Sequence, residues 1–307
     1  MSKLPIWIDT DPGVDDAAAL MLAHSLPELE IVAISSVAGN VPLEKTTRNA
    51  LTLCELMEAD YPVYRGAEKP WLRPYRDASV FHGENGLGGV TLPEPKRAAE
   101  PQTMWDALYE AACRFEGRLE LVALGPLTNV ATAFAKYPKL PELLHRVVIM
   151  GGAAVGGNRT PCAEYNIYTD PDAAQAVFQS GCRVVMCGLD VTNRAYLTPE
   201  ELERIGSGGR LGQYLSAFSR DLLERNLRAG KPGWSIHDAC PIWYLARPEL
   251  FSGREAGVFV ETRSELTLGK TVTDLYSDFR FPTKNTLVLL EIDRSAFADG
   301  MKEVFCK

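Results

Sequence analysis

Asp9-Thr-Asp-Pro-Gly-Val-Asp-Asp16 brings four carboxylates into eight consecutive positions. The octet follows the apolar run Leu4-Pro-Ile-Trp-Ile8, which is typical of a buried strand, and its Pro-Gly step ends that strand. The apolar segment Ala17–Ala23 comes next and has the spacing of a helix. The octet therefore joins a strand to a helix N-terminus, where free N–H groups and the helix dipole favour negative charge.

Four carboxylates are more than a helix cap requires. Packed together without compensation, they would repel and raise one another's pKa, and a bound cation removes that cost. Oxygen ligands in this number favour a hard ion, Ca²⁺ or Mg²⁺. The octet alone leaves one alternative open, a capped helix start with a solvated acidic turn.

Length and composition restrict the class of protein. A chain of 307 residues with 46% hydrophobic content suits one large domain, and we expect a single domain over residues 1–307. The net charge of −8 without a basic block argues against nucleic acid and against an anionic membrane as partners. The seven cysteines contain no Cys-x-x-Cys pair, and the N-terminus shows no targeting pattern, so we expect a cytoplasmic protein.

Short apolar runs alternate with helical patterns along the chain, which predicts an α/β fold with a mostly parallel central sheet flanked by helices, of the Rossmann-like kind. The predicted strands are Ile6–Asp9, Glu30–Ala38, Tyr61–Tyr64, Leu119–Leu124, Arg146–Met150, Arg183–Cys187, Gly257–Glu261, Thr271–Leu275 and Thr286–Ile292. The predicted helices are Ala17–Ser25, Leu43–Met57, Met104–Phe115, Leu127–Tyr137, Pro171–Gln179, Pro199–Ile205, Leu211–Leu227 and Ala239–Ala246.

Polar residues collect where the predicted strands end. Gly39-Asn40, Leu124–Asn129 and Gly151-Gly152 each follow a strand, as the octet does. Open α/β sheets bind ligands in the crevice at the carboxyl ends of their strands. We therefore expect these four loops to line one pocket, although each loop alone is ordinary turn chemistry.

Two later segments carry further candidates. Asn158, Glu164 and Asn166 lie in one loop, and two amides with a carboxylate suit several hydroxyls, as on a sugar; turn chemistry is the alternative. His237-Asp238 opens a helix that Asp238 could cap, and His237 is a candidate proton donor because imidazole titrates near neutrality.

The pattern as a whole resembles the inosine-uridine preferring nucleoside hydrolases. The matching segments follow the order of that family and are the octet, Gly39-Asn40, His82-Gly83, Gly125–Asn129, Met150–Gly152, Asn158–Asn166 and His237-Asp238. The family hydrolyses the N-glycosidic bond of ribonucleosides to free base and ribose, in a single α/β domain. The resemblance implies the same reaction for this chain.

The resemblance also implies roles for individual residues. Ca²⁺ would be held by Asp11, Asp16, Asp238 and the carbonyl of Leu124, and Asp11 would also activate the metal-bound water as general base. The ribose would contact Asp15, Asn40, Met150, Asn158, Glu164 and Asn166. His237 would protonate the leaving base, and His82 and Tyr165 would lie near that base. Pyrimidine nucleosides are favoured because both histidines are present, with inosine also accepted; a homo-oligomer, tetramer or dimer, is implied.

Two other functions remain to be tested. A strand followed by Asp-x-Asp also begins the haloacid-dehalogenase-like Mg²⁺ phosphatases, but the later Asn, Glu and His-Asp loops have no role there. A non-catalytic Ca²⁺-dependent nucleoside- or ribose-binding protein would keep the same site. Ala239 replaces the proline that often follows His-Asp in the family, which leaves the Asp ligand intact. The base-reading region offers only Asn226, Arg228 and Trp234 as candidates.

Overall fold

A computed structural model describes residues 3–276, 284 and 286–307. Within these residues, one nine-stranded sheet has the order β10-β9-β11-β6-β5-β4-β1-β2-β3. Its strands are β1 Leu4–Thr10, β2 Leu29–Ser36, β3 Val63–Arg65, β4 Glu120–Ala123, β5 Arg146–Met150, β6 Val184–Cys187, β9 Phe251–Val260, β10 Thr271–Asp274 and β11 Thr286–Ile292. The strands β7 Tyr196–Leu197 and β8 Trp234–Ser235 form a separate antiparallel pair.

The helices of the described residues connect these strands. They are α1 Val14–Ser25, α2 Leu43–Leu56, α3 Ser79–His82, α4 Met104–Phe115, α5 Thr128–Lys136, α6 Leu140–Leu143, α7 Tyr165–Thr169, α8 Pro171–Phe178, α9 Leu189–Thr192, α10 Pro199–Gly206, α11 Arg210–Arg228, α12 Ala239–Ala246 and α13 Arg294–Phe305. A 3₁₀ turn spans Pro248–Leu250. No helix in the described part of the chain is both long enough and apolar enough to cross a membrane.

The central strands are apolar on both faces because helices cover both. Ile6 and Ile8 of β1 belong to the core cluster that includes α1, α12 and α13, whereas Trp7 between them belongs to the cluster formed with α4, α5 and α8. This alternation follows from the two-residue period of a strand. All pairings from β3 across to β11 are parallel, and β9 and β10 extend the sheet in antiparallel fashion.

The predicted α/β class with a mostly parallel sheet is confirmed, and several boundaries match to the residue, such as Met104–Phe115 and Ala239–Ala246. One strand starts earlier than predicted: β9 begins at Phe251 rather than Gly257. Its residues 252–255 are exposed, so they lack the apolar signal, yet they pair with β11. The terminal helix α13 was missed, although Phe297, Met301 and Phe305 have helical spacing.

The strand order places the octet at the reversal point of the sheet. The chain runs from β1 outward to β2 and β3, then returns to the other side of β1 with β4. The loops after β1 and β4 therefore diverge and open a crevice at the carboxyl ends of these strands, where doubly wound folds bind ligands. The octet and Leu124-Gly125 form the two walls of this crevice.

Candidate functional site

The octet turns into α1 around the carboxylate of Asp16, which is fully buried. Its Oδ2 accepts from the backbone N–H of Gly13 at 2.9 Å, so Asp16 does cap the helix start as the simplest interpretation predicts. Its Oδ1 also accepts from the backbone N–H of Asp11 at 3.2 Å and from the hydroxyl of Thr10. Capping and site formation therefore use the same side chain, which these donors hold in one orientation.

Asp11 lies between two glycines that leave room for its carboxylate. A Cβ on Gly39 would lie 2.0 Å from Oδ2 of Asp11, and one on Gly125 would lie 2.5 Å from Oδ1. Oδ2 accepts from the backbone N–H of Asn40 at 2.7 Å, whereas Oδ1 is buried and has no hydrogen-bond partner among the described residues. The loops after β2 and β4 thus enclose a carboxylate with one free oxygen.

Asn40 links the two aspartates. Its side-chain amide donates to the carbonyl of Asp11 at 3.1 Å and to Oδ2 of Asp16 at 3.0 Å. An amide that donates to two acceptors cannot rotate without breaking both bonds. Asn40, which is a predicted ribose contact, therefore also holds Asp11 and Asp16 of the octet in position.

Asp238 completes the group from more than two hundred positions away. The carboxylate oxygens of Asp15, Asp16 and Asp238 lie within 4.8 Å of one another, and all three side chains are buried. Asp238 makes no side-chain cap at the start of α12, so the capping interpretation of this residue is wrong. The tight trio contains Asp15, which the resemblance assigned to ribose, and Asp11 borders it through Asp16 and Asn40.

Burying these ionised aspartates costs free energy unless a positive charge lies beside them. Burial and the charges of neighbouring aspartates raise the pKa of Asp11 and of Asp238 well above the usual value, and they raise the pKa of Asp15 to about 7. A divalent cation would lower these pKa values because it stabilises the ionised carboxylates. The all-oxygen donors and the unpaired Oδ1 of Asp11 fit a hard cation such as Ca²⁺ or Mg²⁺.

Asp9 supports the loop from below. Its Oδ1 accepts from the hydroxyl of Ser35 and from the side-chain amide of Asn129 at 2.7 Å, and burial raises the pKa of Asp9 to about 7. Asn129 also donates to the carbonyl of Ser36 at 3.1 Å and accepts from the N–H of Ala67 at 2.7 Å. These contacts tie the ends of β1 and β2 to the start of α5.

Asn166 and Glu164 lie on the side of the crevice that is formed by Leu124 and Met150. The amide of Asn166 donates to the carbonyl of Leu124 at 2.7 Å and to that of Met150 at 3.1 Å. Glu164 is buried and caps α7, accepting from the N–H groups of Asn166, Ile167 and Gly152. Glu164 therefore serves the turn as well as the predicted sugar contact.

Tyr165 and Asn158 lie toward the rim. The hydroxyl of Tyr165 donates to the carbonyl of Gly39 at 2.8 Å, which connects α7 to the loop that holds Asp11. Asn158 is exposed, and its Oδ1 accepts from the N–H of Tyr165 at 2.9 Å. The structure thus connects Tyr165 to the loop that holds Asp11, while the side chain of Asn158 bonds to the backbone of Tyr165.

Both predicted histidines reach the crevice. Nδ1 of His82 accepts from the N–H of Val14 at 3.2 Å and lies 3.9 Å from Oδ1 of Asp15. Nδ1 of His237 forms a hydrogen bond of 2.8 Å with the hydroxyl of Thr192. Burial lowers the pKa of each imidazole to about 4, and negative charge that develops on a leaving base beside the ring would oppose this shift.

Several residues that position the site have no sequence pattern that predicts this role. Ser35 and Thr192 orient an aspartate and a histidine, but an isolated hydroxyl residue gives no pattern that marks such a role. Asn129 could have been found, because it closes the polar Leu124–Asn129 loop. Among the base-reading candidates, Trp234 is 2% exposed in the core, Arg228 pairs with Glu224 on the surface and the side chain of Asn226 donates to the carbonyl of Gly233.

Comparison with known proteins gives one consistent result. Residues 6–299 match the family model described as inosine-uridine preferring nucleoside hydrolase. The "Non-specific ribonucleoside hydrolase RihC" of Salmonella paratyphi B is 42% identical over 304 residues, covering 99% of this chain and 98% of that protein.

Two solved structures agree over 98% of both chains. The "Plant nucleoside hydrolase - PpNRh1 enzyme" superposes with a TM-score of 0.91 at 32% identity. A purine-preferring ribonucleoside hydrolase from Gardnerella vaginalis superposes with a TM-score of 0.92 at 29% identity. The similarity therefore extends over almost the whole fold and is not confined to the site.

Proposed function

The chain belongs to the inosine-uridine preferring nucleoside hydrolase family and is a ribonucleoside hydrolase, and we propose that it cleaves the N-glycosidic bond with Asp11 as general base beside a bound Ca²⁺. Membership of this family argues against the phosphatase alternative, and the similarity to a named ribonucleoside hydrolase argues against the non-catalytic one. The observation that carries the proposal is the buried carboxylate group with one unpaired oxygen, at the reversal point of the sheet.

The ribose end of the crevice is suited to developing positive charge. Breaking the C–N bond gives the sugar an oxocarbenium-like character. Asp15, Glu164 and the amide oxygens of Asn40 and Asn166 present negative or partly negative atoms, which stabilise that charge more than they stabilise the neutral substrate. Asn158 and Met150 would complete the sugar contacts at the rim and beneath the ring.

Asp11, Asp16 and Asp238 would hold the cation, with the carbonyl of Leu124 as a fourth donor and Asp15 beside them. When bound, Ca²⁺ supplies a positive charge that orients the ribose diol and the attacking water. Among the described side chains, Asn166 alone donates to the carbonyl of Leu124, and a carbonyl has a second lone pair. Mg²⁺ is the alternative that the donors alone permit.

Asp11 has the features of a proton acceptor. Oδ2 is fixed by the N–H of Asn40, and Oδ1, which has no hydrogen-bond partner among the described residues, has two lone pairs, one for the cation and one for the proton of the attacking water. The new C–O bond forms at the anomeric carbon, and the C–N electrons leave with the base. The two glycines beside Asp11 leave the room that its carboxylate needs in this position.

The base would leave between His82 and His237. Their presence is our reason to propose a preference for uridine and cytidine, with inosine also accepted. The name of the Salmonella relative, non-specific ribonucleoside hydrolase, supports a broad range. Tyr165 would border the base from the side of α7.

A panel of common ribonucleosides tests this function. Base release from uridine, cytidine, inosine, adenosine and guanosine is compared by kcat/KM, with and without a chelator, beside p-nitrophenyl phosphate. We expect hydrolysis of ribonucleosides that the chelator abolishes, and no phosphate release. Highest kcat/KM for guanosine and adenosine would contradict the pyrimidine preference, while activity that withstands exhaustive chelation would contradict the role of the cation.

His237→Ala should affect poor leaving groups most. A p-nitrophenyl riboside needs no protonation on departure, so its kcat should change little, whereas kcat for uridine should fall about 10²–10⁴-fold. The measurement is kcat for both substrates in the variant and in His24→Ala, whose imidazole bonds to Tyr61 away from the crevice. Equal losses on the two substrates would show that His237 does not act as the acid.

We also propose that the protein is a cytoplasmic homo-oligomer, a dimer or tetramer, by analogy with its family. The seven cysteines are all free thiols, which supports a reducing compartment. Light scattering coupled to gel filtration measures the assembly, and a mass of 33.8 kDa in solution, that of one chain, would contradict it.

A further inference from the structure

A second cavity lies on the side of α7 that faces away from the carboxylates. Its volume is about 180 Å³, and its lining includes Arg73, Arg76, Arg159, Tyr168, Thr169 and Leu268. Asn166 and Glu164 of the same segment face the crevice, whereas Tyr168 and Thr169 line this cavity. The volume corresponds to about six waters at roughly 30 Å³ each, enough for a phosphate group and a small organic part.

Three guanidinium-bearing residues meet here, and only one of them is neutralised. Nε of Arg73 pairs with Asp172 at 2.9 Å, and its Nη2 donates to the carbonyl of Thr262 at 2.7 Å. The side chains of Arg76 and Arg159 have no ion pair or hydrogen bond with any described residue. The described lining contains no carboxylate, so within the described part of the chain Arg76 and Arg159 bring two positive charges to the cavity without a paired negative charge.

Arginine pairs arranged around a concave site match the geometry of oxyanions. Each guanidinium is a planar fork of N–H donors that binds two oxygens of a phosphate at once. Arg73 is already fixed by two partners, so it forms a rigid wall rather than a ligand. Leu268 adds an apolar surface that suits a carbon substituent better than bulk water.

We propose that this cavity, the Arg76–Arg159 site, binds a dianionic phosphate group, either as free phosphate or on a small phosphomonoester. The site is separate from the carboxylate group, which would repel such an anion unless a cation were bound. Arg159 follows Asn158, which accepts from the N–H of Tyr165, and Tyr165 reaches Gly39 beside Asp11. Arg159 is therefore the direct chain neighbour of a residue at the rim of the proposed ribose pocket.

Calorimetric titration of the metal-loaded protein tests the proposal, in buffer without free Ca²⁺. Inorganic phosphate and glycerol 3-phosphate are the two probes, the second chosen because it carries no ribose for the crevice. We expect saturable binding of one anion per chain, weakened about tenfold or more in the double variant Arg76→Ala/Arg159→Ala. Equal affinity for both probes would identify free phosphate as the ligand, and tighter binding of glycerol 3-phosphate would identify a phosphomonoester.

The matched control is Arg210→Ala/Arg228→Ala on α11, which removes the same charge from exposed arginines. It should bind both probes as the unchanged protein does. Binding that survives in Arg76→Ala/Arg159→Ala would place the anion elsewhere, for example on the cation, and would overturn the proposal. Absence of heat at millimolar phosphate would overturn it too, provided that the unchanged protein is folded and active.

Discussion

Asp11→Asn should lower kcat by about 10³-fold or more while the fold is retained. Asn has the same shape, and its side-chain oxygen can still accept from the N–H of Asn40. It cannot take a proton from water, however, and general-base catalysis contributes about 10²–10⁴-fold. Loss of one negative charge from the cation site adds to the effect. Steady-state kinetics on uridine and inosine, with circular dichroism as the test of folding, measures the change.

Asp11 has two proposed roles, and metal content separates them. If Asp11 is the base, kcat of Asp11→Asn stays low even when elemental analysis shows one bound Ca²⁺ per chain. If it is a ligand only, activity returns in proportion to the bound metal. Asp60→Asn is the control, since that carboxylate is 99% exposed and lies far from the crevice in the fold. Near-normal kcat in Asp11→Asn would end the assignment of the base.

Asp238→Asn should make activity depend on added Ca²⁺. The substitution removes one of three carboxylates that lie within 4.8 Å of one another, so the site keeps its shape but loses charge. We expect an apparent Kd for Ca²⁺ at least about tenfold weaker, and activity close to zero in buffer without added metal. Millimolar Ca²⁺ should restore most of kcat, because Asp11 and both histidines are unchanged.

Thermal unfolding gives an independent measurement of the same site. An ion that binds only the folded chain adds RT ln(1 + [L]/Kd), about 2.7 kcal/mol at one hundred times Kd. Tm of the unchanged protein should therefore rise with Ca²⁺ and fall with chelator, and Tm of Asp238→Asn should respond only at higher concentrations. Asp299→Asn, with its exposed carboxylate, should behave as the unchanged protein. A Tm that ignores Ca²⁺ in every variant would contradict a cation at this site.

The sequence predicted the fold class because strand and helix periods are local properties. The β1 apolar run and the α4 pattern needed no knowledge of their neighbours. β9 was shortened because residues 252–255 are held by pairing with β11, which is a contact between distant segments. Such pairing leaves no periodic signal in an exposed strand.

The sequence predicts the residue types of the candidate site but not how their side chains are arranged. The carboxylates of the octet and Asp238 do meet, yet the tight trio contains Asp15 rather than Asp11. The amino-acid sequence of the octet does not specify the direction of each side chain, because that direction depends on the turn into α1. In the same way, Glu164 is a predicted sugar contact, and the sequence does not show that its carboxylate also accepts from three backbone N–H groups, two of its own segment and that of Gly152.

Asp16 and Asp238 are far apart along the chain, so they leave the ribosome at different times. During synthesis the N-terminal part leaves the ribosome first, so the octet emerges long before α12. Until then its acidic residues have no Asp238 beside them, and the acidic trio is incomplete. The trio is therefore assembled only when nearly the whole chain has emerged, and a chain cut short before α12 lacks one of its three carboxylates however well β1 to β6 have formed.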